Sequence, residues 1–171
     1  MGAVSYMKPG GGRQKGASFE LHCCRLLTGW YGGEFKRVPM SGGWDKSVIT
    51  GDIFRAAPNG GVDTKFPLSI ECKCQEKWEI EEVLRGVGKV FKWWKQCVDD
   101  CPRTKHPFLI FTRNGKQIYV MYRYTFHVDF IEVHTTYPTL YIPSGKIQLW
   151  PDFARSFLPK IPIKELSQLK F

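Results

Sequence analysis

The sequence predicts a single α/β domain, and three observations indicate it. The chain has 171 residues, which suffices for one domain with one large core. Hydrophobic residues make up 43% and charged residues 24%, the composition of a folded protein. Segments with helical periodicity and segments with strand-like alternation follow one another in the order α, β, β, α, β, β. This composition excludes a disordered or collagen-like chain.

Two segments have the spacing of amphipathic helices. The first is predicted over residues 16–27, where Phe19, Cys23 and Leu27 recur on one face. The second is predicted as one long helix over residues 78–99, because its apolar residues repeat with a period near 3.6. Both helices therefore offer an apolar face to a sheet.

Four strands are predicted to form two antiparallel hairpins. The first hairpin pairs residues 47–56 with residues 66–74 through a turn at Asn59-Gly60-Gly61. The second pairs residues 107–112 with residues 117–123, and Asn114-Gly115 between them supplies the positive φ values of a tight turn.

The remaining segments are predicted to flank this core. Residues 1–15 are glycine-rich and basic, which favours a flexible arm. Residues 124–171 contain shorter strand-like runs and a proline-broken tail, and we expect an extension packed on the core. The predicted organisation is thus an arm (1–15), a core domain (16–123) and a C-terminal extension (124–171).

The charge balance predicts a polyanionic partner. The chain carries 25 Lys and Arg against 16 Asp and Glu, a formal net charge of +9, and most of the surplus lies before residue 124. Nucleic acid is the first candidate. There is no apolar run long enough for a membrane helix and no segment like a signal peptide, so we expect a cytoplasmic protein without a membrane partner.

The residues with the clearest chemical potential are two acids and a lysine on the first hairpin. Asp52 lies on its first strand, and Glu71-Cys72-Lys73 on its second. Strand alternation places Glu71 and Lys73 on one face and Cys72 on the other, in the apolar layer with Cys74. The hairpin brings Asp52 towards Glu71. Carboxylates of this kind bind Mg²⁺ while leaving it several waters, which suits hydrolysis of a phosphodiester.

With Asp52 and Glu71-x-Lys73 on this hairpin, the sequence resembles the PD-(D/E)xK nuclease superfamily. The preceding Lys15-Gly16-x3-Glu20 and the order of elements are similar to those of archaeal and phage Holliday-junction resolvases. The resemblance implies a restriction-endonuclease-like domain, with a central mixed β-sheet flanked by helices. It also implies a homodimeric endonuclease that uses Mg²⁺, with Mn²⁺ as a substitute, and cuts four-way DNA junctions, in the host-cell cytoplasm if a phage encodes it. Gly51 departs from the motif, which has proline before the aspartate.

The resemblance also assigns roles to residues. Asp52 and Glu71 would bind the metal together with the backbone carbonyl of Cys72, and Lys73 would position the attacking water. Glu20 would contribute directly or through water. A serine before the aspartate supports the site in related resolvases; Ser47 is our candidate, and Ser41 stays open beside it.

Further residues are candidates for DNA contact. They are basic or polar and lie on the arm, after the motif lysine and along the long helix: Arg13, Lys15, Gln75, Arg85, Lys89 and Lys92. The helix residues are equally well explained as a solvated face. Trp30 is a candidate for base stacking or dimer packing. Asp63 is an alternative to Asp52 but is better explained as a turn residue. A nuclease on ordinary duplex and a non-catalytic DNA-binding module remain alternative functions.

Overall fold

The computed structural model describes residues 11–39, 49–113, 115–123, 130–132, 140–142 and 145–159. Its helices are α1 (Gly11–Tyr31), α2 (Ile80–Leu84), α3 (Gly88–Asp99) and α4 (Trp150–Ser156). Its strands are β1 (Phe35–Arg37), β2 (Ile53–Arg55), β3 (Leu68–Cys74), β4 (His106–Thr112), β5 (Tyr119–Tyr122), β6 (Phe130–Glu132), β7 (Leu140–Ile142), β8 (Gly145–Leu149) and β9 (Phe157–Pro159).

A seven-stranded mixed sheet forms the centre of the fold. Its strand order is β1-β2-β3-β4-β5-β8-β7, while β6 and β9 form a separate pair. Strands β3 and β4 are parallel, and the other neighbours are antiparallel. The predicted α/β class and the mixed sheet flanked by helices are confirmed.

Each face of the sheet has its own apolar cluster. Helix α1 and helix α4 pack on one face, where Leu27 and Phe153 are fully buried against residues of β3, β4 and β5. Helices α2 and α3 pack on the other face, where Trp94 lies among residues of β4, β5 and β8. The alternation predicted for β3 is confirmed, because Cys72 is buried in the α1 cluster and Cys74 packs against it.

Helix α1 is longer than predicted at both ends. It begins at Gly11 rather than residue 16, so residues 11–15 of the predicted flexible arm are helical. These residues include no apolar side chain, which is why hydrophobic periodicity does not reveal them. At the other end Trp30 packs edge-on against Trp150 at 5.9 Å between ring centroids. Packing against Trp150 within the same chain therefore accounts for the aromatic side chain at Trp30.

The prediction of one long helix over residues 78–99 is wrong. The chain forms two helices there: Gly86 (φ 71°) lies between them, and α3 begins at Gly88 (φ 85°). Both values lie in the left-handed region, which no helix interior accommodates. Arg85 therefore follows the end of α2, whereas Lys89 and Lys92 lie on α3, and the predicted single stripe does not exist.

The hairpins were predicted well and the remaining strands less well. Both hairpins are antiparallel, with Ile53 opposite Ile70 in the first and Phe108 opposite Tyr122 in the second. The first strand is shorter than predicted, since β2 covers three residues. Strand β1 was not predicted, because three residues are too few for a periodicity.

The segment after residue 123 contributes to the central sheet. Strand β8 pairs with β5, and β7 pairs with β8. Helix α4 follows directly, where a strand end was predicted, and places Phe153 in the α1 cluster. Strands β7 and β8 therefore complete the sheet, and α4 packs on it. None of the described helices is long and apolar enough to cross a membrane.

Candidate active site

A cavity of about 390 Å³ lies between the N-terminal half of α1 and the C-terminal end of β3. Its lining combines acidic, basic and amide side chains with glycines: Gly12, Gly16, Glu20, Asp52, Cys72, Lys73, Cys74 and Gln75. Most of the residues that the sequence singled out for chemistry thus face one cavity.

Asp52 is fixed by hydrogen bonds from two neighbouring strands. Its backbone N–H donates to the Ile70 carbonyl at 2.7 Å, and its own carbonyl accepts from the Val38 N–H at 2.8 Å. Its carboxylate oxygen Oδ2 accepts a hydrogen bond from the Cys72 N–H at 2.8 Å. The carboxylate therefore accepts the hydrogen bond that a longer β2 strand would accept from the Cys72 N–H.

Gly51 permits this geometry. Its φ is 81°, and a Cβ at this position would clash with the Ile70 carbonyl, whose carbon would lie 2.8 Å away. Only glycine accommodates both the φ value and the close approach. Proline, with φ locked near −65°, has no access to this conformation. The φ value and the close approach to Ile70 thus explain why glycine, and not the proline of the motif, precedes Asp52.

Glu71 and Lys73 form an ion pair on the face of β3 opposite Cys72. Lys73 Nζ lies 2.5 Å from Glu71 Oε1, and their side chains are only 20% and 13% exposed. The cause is the two-residue spacing, which aligns both side chains along one face of the strand. Lys73 also lines the cavity, so it connects Glu71 to the space in front of Asp52.

The carboxyl and amine groups perturb one another. Burial and the charge of Glu71 raise the pKa of Asp52 from 3.8 to about 6. Burial alone would lower the pKa of Lys73, but its hydrogen bond to Glu71 and the charges of Glu71 and Asp52 outweigh burial and raise it. Lys73 is therefore an ammonium group at neutral pH, paired with Glu71 and stabilised by the charge of Asp52.

Glu20 reaches the cavity from α1 and is held by a residue that the sequence did not suggest. Arg37 Nε on β1 donates a hydrogen bond to Glu20 Oε2 at 2.5 Å. Val38, the next residue, holds the backbone of Asp52. The end of β1 thus supports both acids, and only the three-dimensional structure shows it.

The donor set is suited to a hard divalent cation. Among the described residues, no three His, Cys, Asp or Glu side chains are grouped so that they could hold a metal ion by themselves. Mg²⁺ does not require such a group, because one or two carboxylates usually hold it together with substrate phosphates and water. Burial is the main cause of the raised pKa of Asp52, and a bound cation would stabilise its ionised form. The residues present fit Mg²⁺ or Mn²⁺, which share a preference for oxygen ligands.

The backbone carbonyl of Cys72 is available on the same side. The Cys72 N–H and the Ile70 carbonyl both face β2, and the carbonyl and N–H of one strand residue point the same way. Strand β2 pairs with β3 only at Ile53 and Ile70. The Cys72 carbonyl therefore points towards the Asp52 side of β3.

The other predicted site residues fall into three groups. Gln75 lines the cavity, and Lys15 lies on α1 between Gly12 and Gly16, which also line it. Lys89 donates a hydrogen bond to the backbone carbonyl of Glu76, the residue after Gln75. Lys92 is exposed on α3, and Arg85 donates to the carbonyl of Glu81. The Arg13 side chain, Ser41 and Ser47 lie outside the described part of the chain.

Asp63 has a structural role. Its Oδ2 lies 2.6 Å from Arg55 Nη1, and its Oδ1 accepts a hydrogen bond from the Lys65 N–H. The expectation that Asp63 is a turn residue is confirmed, because its side chain and its carbonyl accept hydrogen bonds from Lys65 and Phe66.

Fold and sequence motif together define a class of protein. A mixed sheet between two helical layers, with an aspartate before a hairpin strand and a Glu-x-Lys triplet on the next, is the arrangement of PD-(D/E)xK nucleases. The chain matches the model of the family described as "Phage putative PDDEXK endonuclease" over residues 11–146. It belongs to this family of nucleases, and the predicted superfamily is confirmed. The match extends past residue 123 and includes β6 and β7. No curated protein and no solved structure matches the chain.

Proposed function

We propose that the protein is a Mg²⁺-dependent, structure-selective DNA endonuclease that resolves Holliday junctions as a homodimer, with Mn²⁺ able to replace Mg²⁺. The observation that supports it is the convergence of Asp52, Lys73 and Glu20 on one cavity, with Glu71 paired to Lys73. As a phage nuclease it would act on DNA in the cytoplasm of the host cell.

The proposed chemistry assigns each side chain a task. Asp52, Glu71 and the Cys72 carbonyl would hold the divalent ion, and Glu20 would support it directly or through water. When bound, the ion stabilises the negative charge that builds on the scissile phosphate. Lys73, held as an ammonium group by its two carboxylates, donates hydrogen bonds that orient the attacking water. Because its pKa is raised, Lys73 acts as a donor rather than as a base.

Junction selectivity follows from symmetry rather than from the cavity. A four-way junction has two-fold symmetry, and its resolution requires two incisions in opposed strands. One chain supplies one Asp52–Lys73 site, so two sites at a fixed spacing require a closed two-fold dimer. The excess of basic residues supplies the attraction to four converging duplex arms.

The decisive experiment compares three labelled substrates. We expect Mg²⁺-dependent cleavage of a four-way junction in two symmetrical positions, with slower cleavage of linear duplex and single strand of the same sequence. Chelation should abolish all cleavage. Light scattering should show a dimer at micromolar concentration. Equal cleavage of junction and duplex, or a monomer bound to the junction, would contradict the proposed junction resolution. Either result would leave the nuclease activity standing.

Arg37 provides a prediction that depends on the proposed role of Glu20. Arg37→Met removes the guanidinium that holds Glu20, and we expect cleavage to fall about tenfold because Glu20 loses its fixed position. Lys36→Met is the matched control, since Lys36 is the preceding residue and pairs with Glu34 in an exposed contact at 3.0 Å. It should cleave at the wild-type rate. Single-turnover kinetics on the junction measure both variants, and equal rates would assign Glu20 no part in cleavage.

A further inference from the structure

One wall of the catalytic cavity consists largely of bare helix backbone. Gly12, Gly16 and Glu20 follow one another at four-residue intervals on α1, so they share one face of the helix, and all three line the cavity. Asp52 and Lys73, which lie on other elements, line the same cavity. The glycines are therefore part of the site that contains the proposed catalytic groups.

The fold does not require glycine at either position. Neither residue has a positive φ value. Among the described residues, a Cβ on Gly12 would meet no atom within 4 Å, and a Cβ on Gly16 would meet only Glu20 Oε1, at an ordinary contact distance of 3.8 Å. Glycine inside a helix costs about 0.5–1 kcal/mol relative to alanine. Stability alone therefore favours alanine at both positions.

We propose that Gly12 and Gly16 are specificity-determining residues, because the sugar–phosphate backbone of the cleaved strand lies against the exposed helix backbone that they leave. The inference rests on the proposed function, since it places the substrate within that same site. The empty side of the cavity is then the space that the substrate needs in order to bring its phosphate up to Asp52 and Lys73.

The size and charge of the cavity suit this occupant. A volume of about 390 Å³ lies near the lower end of the range for ligand pockets, which suits a short piece of one strand. Lys15, between the two glycines in sequence, brings positive charge to this wall. Burial raises the pKa of the Cys74 thiol in the lining, and the nearby Lys15 ammonium partly offsets this effect. A surface of backbone atoms and a lysine recognises a phosphodiester chain without reading its bases.

The test introduces side chains of increasing size into this wall. In Gly16→Ala and Gly12→Ala a methyl group would take up part of the strand's space, and in Gly16→Leu a larger side chain would do so. We expect about a tenfold loss of junction cleavage in each alanine variant and about a hundredfold loss in Gly16→Leu, because small displacements from the reactive geometry are costly. In an Asp52→Asn background, Gly16→Leu should also weaken DNA binding.

Gly29→Ala is the matched control. Gly29 lies on the same helix and does not line the cavity, and a Cβ there would meet nothing within 4 Å in the part of the chain that the structure describes. All three alanine variants should unfold at the same temperature as the wild type or higher, because alanine favours the helix. Only the two cavity variants should lose activity. This combination separates an effect on the substrate from an effect on folding.

The outcomes distinguish this inference from the function on which it rests. If the wild type cleaves the junction and folded Gly16→Leu cleaves it equally fast, the role of the glycine wall is refuted while the nuclease stands. If Gly29→Ala loses as much activity as Gly16→Ala, the effect belongs to the helix and the inference is again refuted. If the wild type cleaves no DNA with Mg²⁺ or Mn²⁺, both the function and the inference fall.

Discussion

Asp52→Asn and Glu71→Gln are each expected to lower junction cleavage roughly a thousandfold or more, because each removes a negative charge that the proposed metal ion and the reaction require. DNA binding in the presence of chelator should be unchanged or tighter, since one carboxylate fewer repels the phosphates. Single-turnover cleavage and fluorescence anisotropy measure the two effects separately. Asp99→Asn, which changes an exposed aspartate on α3 that pairs with Lys95, is the charge-matched control and should retain full activity.

The same substitution at Asp52 should change how stability depends on pH. In the folded protein the pKa of Asp52 is about 6 against 3.8 unperturbed, so the folded state without metal holds this proton more tightly than the unfolded state. Ionisation of Asp52 therefore costs about 3 kcal/mol of stability, lost as the pH rises from about 4 to 6. The side-chain amide in the Asp52→Asn variant has no such ionisation.

The difference in thermal midpoint between Asp52→Asn and the wild type should therefore increase between pH 4 and pH 6 and stay constant above that range. The measurement requires chelator, because a bound cation would offset the charge of the carboxylate. A difference that does not depend on pH would show that Asp52 ionises normally. Substantial cleavage by either purified variant would reject the proposed site, whatever its stability.

The parts of the site that lie on one hairpin were predictable from the sequence. Strand alternation separates Glu71 and Lys73 from Cys72, and the Asn59-Gly60-Gly61 turn places Asp52 near them; the structure shows the ion pair and the Asp52–Cys72 hydrogen bond that this pattern predicts. Local chemistry and alternation decide these contacts, and both can be read along the chain.

The contacts that depend on distant segments were not predictable. Arg37 lies on a three-residue strand with no periodic pattern, and its partner Glu20 is 17 residues away on another element. Phe153 is fully buried only because α4 returns to the α1 face of the sheet. Periodicity is a property of one element and contains no information on which other elements it meets.

The two glycines within the predicted long helix, Gly86 and Gly88, show a second limit of periodicity. Hydrophobic periodicity continues through residues 78–99, because Val83 and Val90 both pack on the same face of the sheet. The backbone nevertheless turns at Gly86 and Gly88. A continuous apolar pattern shows which side chains are buried, whereas two nearby glycines show where the helix is interrupted.

Among the described glycines, Gly51 is the one at which alanine is expected to have the largest effect, because it combines a positive φ with the closest approach to another backbone atom. The new Cβ would clash with the Ile70 carbonyl, and the neighbouring backbone N of Ile70 would lie only 3.0 Å away. Both are backbone atoms of a central strand, so neither can move aside. The segment that carries Asp52 must therefore lift away from β3, and the Asp52–Ile70 and Asp52–Cys72 hydrogen bonds are lost with it.

The expected result has two measurable parts. The free energy of unfolding should fall by about 2–4 kcal/mol, the sum of left-handed strain in a residue with a Cβ and of the lost hydrogen bonds. Junction cleavage should fall about a hundredfold or more, because Asp52 is displaced from its partners. Urea unfolding gives the first quantity, and cleavage assayed well below the unfolding midpoint gives the second.

Gly60→Ala separates the clash from the strain. Gly60 has nearly the same φ, 83°, but a Cβ there would meet no atom of the described residues within 4 Å, and Gly60 does not line the cavity. Gly60→Ala should therefore lose about 1 kcal/mol from the backbone conformation alone and keep its cleavage activity. If Gly51→Ala behaves like Gly60→Ala in both measurements, the close approach of Gly51 to Ile70 does not position Asp52, and another contact must hold the carboxylate in the cavity.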